Sequence, residues 1–136
     1  MRELTEQEHK NLKNLGVHAL YLFGSRAQGV ESPSSDFDFA VLLDQETEGR
    51  GGGLYDKLYA ILSPLCKRTT IESDVLDIVF LNTVSLEMRM HVVRYGKVLS
   101  DGNLLARLRF EERTTREYCD FSPILFTIDR TILATL

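Results

Sequence analysis

A chain of 136 residues with 43% hydrophobic and 26% charged residues has the length of one globular domain and enough apolar side chains for a real core. No apolar run approaches the roughly 20 residues that span a bilayer, and the first ten residues, MRELTEQEHK, are too polar for a signal peptide, so no membrane is expected and the expected location is cytoplasmic. A net charge of −4 gives no general attraction for phosphate backbones, which argues against direct nucleic-acid binding and suits docking on a basic partner.

Residues 4–15 read as a first helix, in which Thr5 and Glu8 form a capping box and Gly16 is the stop. Val17–Phe23, VHALYLF, is apolar and aromatic enough for a buried strand that runs straight into Gly24 and Ser25. Ser25–Gln28 forms one short helical turn ended by Gly29, and residues 30–35, with Pro33 and three serines, form a loop. Phe37–Leu43 is a second strand. Phe37, Phe39, Val41 and Leu43 share its core face, while Asp36, Asp38, Ala40 and Leu42 share the other, so the strand brings charge to the rim of the sheet.

Residues 44–53, polar and ending in three glycines, read as a loop, and 54–68 as an amphipathic helix kinked near Pro64. Residues 73–81, SDVLDIVFL, form a third strand, apolar on both faces apart from Asp77. A helix over 82–95 is capped by Asn82, Thr83 or Ser85 and closed by Gly96, and Val98 with Leu99 adds an edge strand. The rest is helical: one helix over 103–119, then a second over 124–136 with Ser122-Pro123 as its start signal. Cys66 and Cys119 are too few and too far apart for a disulfide framework or a metal knuckle and read as small buried thiols. This order of elements is α+β: a small mixed sheet flanked by helices, with a helical C-terminal extension.

Three carboxylates carry the chemistry. Asp36 and Asp38 project from one side of the second strand, and Asp77 sits where a buried charge is expensive unless a cation or donor meets it. With the third strand beside the second, all three converge at one end of the sheet. Hard oxygen ligands suit Mg2+, and three aspartates around nucleotide phosphates suit a site for two ions. Gly24 lets the backbone approach a phosphate closely, the amides of the following turn point at the anion, and the Ser25 hydroxyl adds a hydrogen bond. Arg26 reads equally as a cation for a triphosphate or as a surface arginine. Taken singly, the aspartates at 36 and 38 are also ordinary turn formers, and Asp77 a satisfied structural carboxylate.

Gly24-Ser25, ten intervening residues, then Asp36-Phe37-Asp38 resembles the signature of the DNA polymerase β-like nucleotidyltransferases, and GSRAQG with SDFD is most similar to the minimal nucleotidyltransferase (MNT) domain. Asp77 in VLDIVFLN matches that family's third carboxylate, and the helix closed by YGKVL resembles its pattern after the third strand. The tail, including YCDFSP, is similar to MNT antitoxins encoded beside HEPN toxins. The resemblance implies a nucleotidyltransferase core over 1–100 and a partner-binding helical extension over 101–136. It also implies ATP as substrate, Mg2+ as cofactor, and AMP transfer to a tyrosine of a HEPN ribonuclease toxin held in a hetero-oligomer. Gly24 and Ser25 would hold the β- and γ-phosphates, Asp36 and Asp38 the metals, and Asp77 one metal while helping deprotonate the incoming hydroxyl. Phe37 and Phe39 stand where smaller aliphatics are usual; both are expected on the core face, leaving the site untouched. Two alternatives stay open: nucleotidyl transfer to a small-molecule hydroxyl, and an antitoxin that acts mainly by binding.

Overall fold

The chain opens on a helix whose start is specified twice over. In α1 (Glu6–Asn14) the Glu8 amide donates to Thr5 Oγ1 at 3.2 Å and the Thr5 amide donates back to Glu8 Oε1 at 2.9 Å, closing the capping box. The Arg2 guanidinium then grips the same carboxylate at 2.7 and 3.0 Å. In the computed structural model residues 1–30, 36–45, 53–66 and 76–135 are described. The loops expected over 30–35 and 44–53, the helix end at Arg68, the strand start at Ser73 and Leu136 fall wholly or partly outside the described residues.

After α1 come β1 (Val17–Phe23), the one-turn α2 (Ser25–Gln28), β2 (Phe37–Leu43), α3 (Leu54–Leu62) with a 3-10 turn (Ser63–Leu65), β3 (Leu76–Phe80), α4 (Leu86–Tyr95), β4 (Lys97–Asp101) and α5 (Leu104–Thr135). The strands form one mixed sheet in the order β3-β2-β1-β4. β1 pairs antiparallel with β2 and with β4, and β2 pairs parallel with β3, as the crossover through α3 requires. Helices cover both faces, α1 and α3 on one and α4 and α5 on the other.

One face packs Phe37, Phe39, Val41 and Leu43 of β2 with Leu20 and Leu22 of β1, Leu12 of α1 and Leu58 and Leu62 of α3. The other packs Ala40 and Leu42 with Ala19, Tyr21 and Phe23, under Val92 of α4 and Phe110 of α5. A register irregularity between Val17 and Ala19 places Val17 in the first cluster and Ala19 in the second, a change of face that strict alternation forbids. The Tyr21 hydroxyl donates to Glu111 at 2.8 Å, Arg107 donates to the same carboxylate at 2.9 Å, and Arg107 also pairs with Asp101. One polar chain thus ties β1, β4 and α5 together.

Several expectations need correction. The C-terminal region is a single helix running through Pro123 rather than two helices. A proline removes one backbone donor and crowds one carbonyl, a penalty of about 3 kcal/mol, and the turns on either side continue regardless. Leu104, Leu105 and Leu108 near the start of α5 are about half exposed, and α5 turns Phe110 and Thr114 inward. Cys119 is exposed and Cys66 only half-buried. Of the three caps offered for α4, Ser85 serves, accepting from the Met88 amide at 3.2 Å. Asn82 instead clamps the end of β2, bonding both the amide and the carbonyl of Leu43. Among the described residues no helix is long and apolar enough to cross a membrane.

The grip on Glu8 has a pH signature. Its hydrogen bonds from Arg2 and then from the Thr5 amide hold its carboxyl down at about 2, against an ordinary 4.5. A lowered carboxyl stabilises the fold above its unfolded value and stops doing so as pH falls through the folded one. Urea unfolding of the wild type is therefore expected to lose stability between about pH 4.5 and 2. Glu8→Gln should cost about 1 kcal/mol at pH 7 and flatten that acid limb.

Candidate active site

The site is built where β1 ends. Gly24 follows Phe23 with φ 75° and ψ −158°, a backbone region open essentially to glycine. A Cβ at this position would stand 2.5 Å from Asp38 Oδ2, so the turn is seated directly against the carboxylate. α2 follows at once, and Gly29 closes it in the left-handed region at φ 72°. Ser25 and Arg26 are half-buried in this turn.

Strand register supplies the rest. Asp38 lies opposite Phe23 in the antiparallel pair and opposite Asp77 in the parallel pair. The third strand is beside the second, so the structure brings Gly24, Asp38 and Asp77 to one corner of the sheet, with exposed Asp36 two residues ahead of Asp38. Asp77 departs from expectation: it is exposed rather than buried, because β3 is an edge strand. Its Oδ1 accepts from the Ile78 amide at 3.0 Å. Asp38 is half-buried, and burial, followed by the negative charges of Asp77 and Asp36, pushes its carboxyl above the ordinary carboxylate range.

Arg26 and Phe37 hold the feature that sequence reasoning missed. Phe37 does point to the core face and is 2% exposed, yet its ring touches the candidate site from below. The Arg26 guanidinium carbon lies 3.8 Å from the ring centre. The signal was present in the sequence as a phenylalanine between the two aspartates. A further contact of this corner is His91 of α4, whose ring meets Phe23 edge-on at 6.5 Å. A cavity of about 460 Å³ lies at the opposite end of the sheet against His18, Leu42, Asn82, Arg109 and Arg113, away from these carboxylates.

Hard carboxylate oxygens, with Asp38 raised by burial and by the charges of Asp77 and Asp36, suit a magnesium ion. Among the described residues no group of three or more His, Cys, Asp or Glu side chains stands close enough together to hold a metal ion. That is compatible with magnesium, which commonly takes one or two carboxylates and completes its shell with water and substrate phosphates.

A four-stranded mixed sheet with a glycine-serine turn and aspartates at its rim defines the class. The chain belongs to the family described as polymerase beta nucleotidyltransferase, whose model matches residues 6–103. It is similar to the protein adenylyltransferase MntA of Aphanizomenon flos-aquae (strain 2012/KM1/D3), with 45% identity over 85 residues. That match covers 59% of this chain and 54% of the relative, so the chain spans about half the length of that curated relative. Among solved structures it is similar to a chain of a toxin-antitoxin crystallised with AMP-PNP, at 25% identity and TM-score 0.66, covering 96% of this chain and 99% of that one. A chain of the tri-AMPylated Shewanella oneidensis HEPN toxin in complex with MNT antitoxin shares the fold, at 20% identity and TM-score 0.58, with coverage of 96% and 99%.

Two variants probe the corner. Gly24→Ala is expected to destabilise the fold by about 1–3 kcal/mol, from a left-handed backbone and the clash with Asp38, measured by urea unfolding. Asp38→Asn should act the other way. A carboxyl raised on folding subtracts stability once pH exceeds its folded value, and the deficit is relieved as pH falls through it. In magnesium-free buffer at pH 7, Asp38→Asn is expected to melt above the wild type, and the gain should vanish in acid.

Proposed function

We propose that the chain is an antitoxin of the nucleotidyltransferase type, transferring AMP from ATP to a tyrosine hydroxyl of a HEPN ribonuclease toxin and thereby silencing it. The observation that carries this is the seating of Gly24 against Asp38 with Asp77 level beside it. The 45% identity to a protein adenylyltransferase supports it.

In this reading Gly24 and Ser25 present backbone amides and a hydroxyl to the β- and γ-phosphates, and Arg26 adds positive charge at the same turn. Asp36, Asp38 and Asp77 would hold two magnesium ions, which when bound would neutralise phosphate charge and supply Lewis-acid polarisation of the transferring group. The acceptor oxygen bonds to the α-phosphorus, the bond to the β-phosphate breaks, and pyrophosphate leaves with the electron pair. Asp77 is exposed, so an incoming hydroxyl can reach it, and it assists removal of the hydroxyl proton. Half-buried Asp38, held beside other negative charge, has the stronger need for a cation.

Residues 1–100 are the catalytic core in this proposal and 101–136 the extension that meets the partner. The half-exposed leucines at 104, 105 and 108, with exposed Phe121 on the same helix, supply apolar surface for a protein contact. Dependence on ATP and on a ribonuclease partner makes the cytoplasm the place of action. Those same leucines favour a second contribution, neutralisation by binding alone.

The test is to incubate the chain with ATP, Mg2+ and the protein encoded beside it, then weigh both by intact mass spectrometry. One or more AMP units are expected on the neighbour, falling to background for Asp36→Ala and for Asp38→Ala. Labelling that persists without these carboxylates sinks the mechanism. If unlabelled toxin is still inhibited by an equal amount of Asp38→Ala, binding is the main effect.

A further inference from the structure

We infer that Phe37 is a positioning residue that, through the Arg26 guanidinium resting on its ring, docks the phosphate-facing turn α2 onto β2; the inference rests on the nucleotidyl-transfer reading above. Phe37 stands between Asp36 and Asp38 along the chain, and its ring lies on the face of β2 opposite Asp38. The guanidinium carbon of Arg26 sits 3.8 Å from the centre of that ring, well inside the range of a cation–π contact. The ring cannot give way easily. It is 2% exposed and stacks on Phe39, with centroids 6.5 Å apart and planes 12° from parallel.

The neighbouring residues make the seat directional. Ala27, next after Arg26, packs against the same apolar cluster, while Gly24 on the other side of the turn lies against Asp38. The turn therefore straddles β2, with residues 26 and 27 on the core face and Gly24 on the carboxylate face. α2 is a single turn without a side-chain cap, too short to hold its own geometry. Docking at Phe37 fixes it to the strand that carries the aspartates. A one-turn helix left undocked must be ordered when the amides at its start meet a phosphate, whereas one already held on the strand has lost much of that freedom beforehand.

The test is a double-mutant cycle on nucleotide affinity, using AMP-PNP with Mg2+ and calorimetry on the full chain. Arg26→Gln and Phe37→Leu are each expected to weaken binding about three- to tenfold. The double variant should be no weaker than the worse single, since both remove one contact. In the labelling assay the KM for ATP should rise with kcat unchanged within about twofold, a split that general loosening of the core would not produce. Losses that multiply in the double variant overturn the inference, as does an Arg26→Gln variant that binds like the wild type. Arg26→Gln opens no core cavity, so it remains informative even where Phe37→Leu lowers the melting point. A wild-type chain that binds no AMP-PNP at all overturns the nucleotidyl-transfer reading itself.

Discussion

The parallel pairing of β2 with β3 is the constraint on which the candidate site depends. It sets Asp77 level with Asp38 on strands that lie about 4.8 Å apart. Like charges at such a spacing repel, and the half-buried position of Asp38 reduces the screening that water would provide. Asp38 is also the one residue of β2 that is not fully buried, in a strand whose other six side chains are core. The apolar majority of that strand offsets an electrostatic penalty that its one carboxylate introduces. Stability given up at a functional corner and recovered in the core is a common arrangement.

Gly24 carries the same logic into the backbone. A positive φ and a gap too narrow for a methyl group both exclude any other residue without displacement. The turn and the carboxylate are therefore one unit, fixed from opposite sides by the sheet and by the contact of α2 with Phe37. The polar chain from Tyr21 through Glu111 and Arg107 to Asp101 does for α5 what Phe37 does for α2. It anchors a helix to the sheet at a defined place and leaves Leu104, Leu105 and Leu108 facing outward.

Local features were legible in the sequence because short-range chemistry determines them. Thr5 with Glu8 announces a helix start, VHALYLF and FDFAVLL announce strands with the observed bounds, and Gly29 announces the stop of a turn. The juxtaposition of Asp38 with Asp77 was legible only on the condition that two strands distant in sequence pair. The features that escaped are set by tertiary neighbours. Asp77 reads as buried because its own strand is apolar, yet edge position exposes it. Ser122-Pro123 reads as a helix start, yet the helix continues through it, since local signals are weak against turns on both sides. The ring of Phe37 reads as core alone, because its second contact comes from a turn eleven residues earlier in the chain.

The position of β1 has a consequence for how the chain is made. β1 is interior to the sheet, and its two edges are covered by β2, completed at Leu43, and by β4, completed at Asp101. Synthesis proceeds from the N-terminus, so the first strand to emerge waits for the last before its second edge is paired. All the residues of the carboxylate corner have been made by Asp77, some twenty residues before β4 arrives to cover that edge. On the ribosome the nascent protein therefore carries its acidic corner before it has a closed sheet. The newest segment, β4 with the start of α5, locks the oldest strand in place.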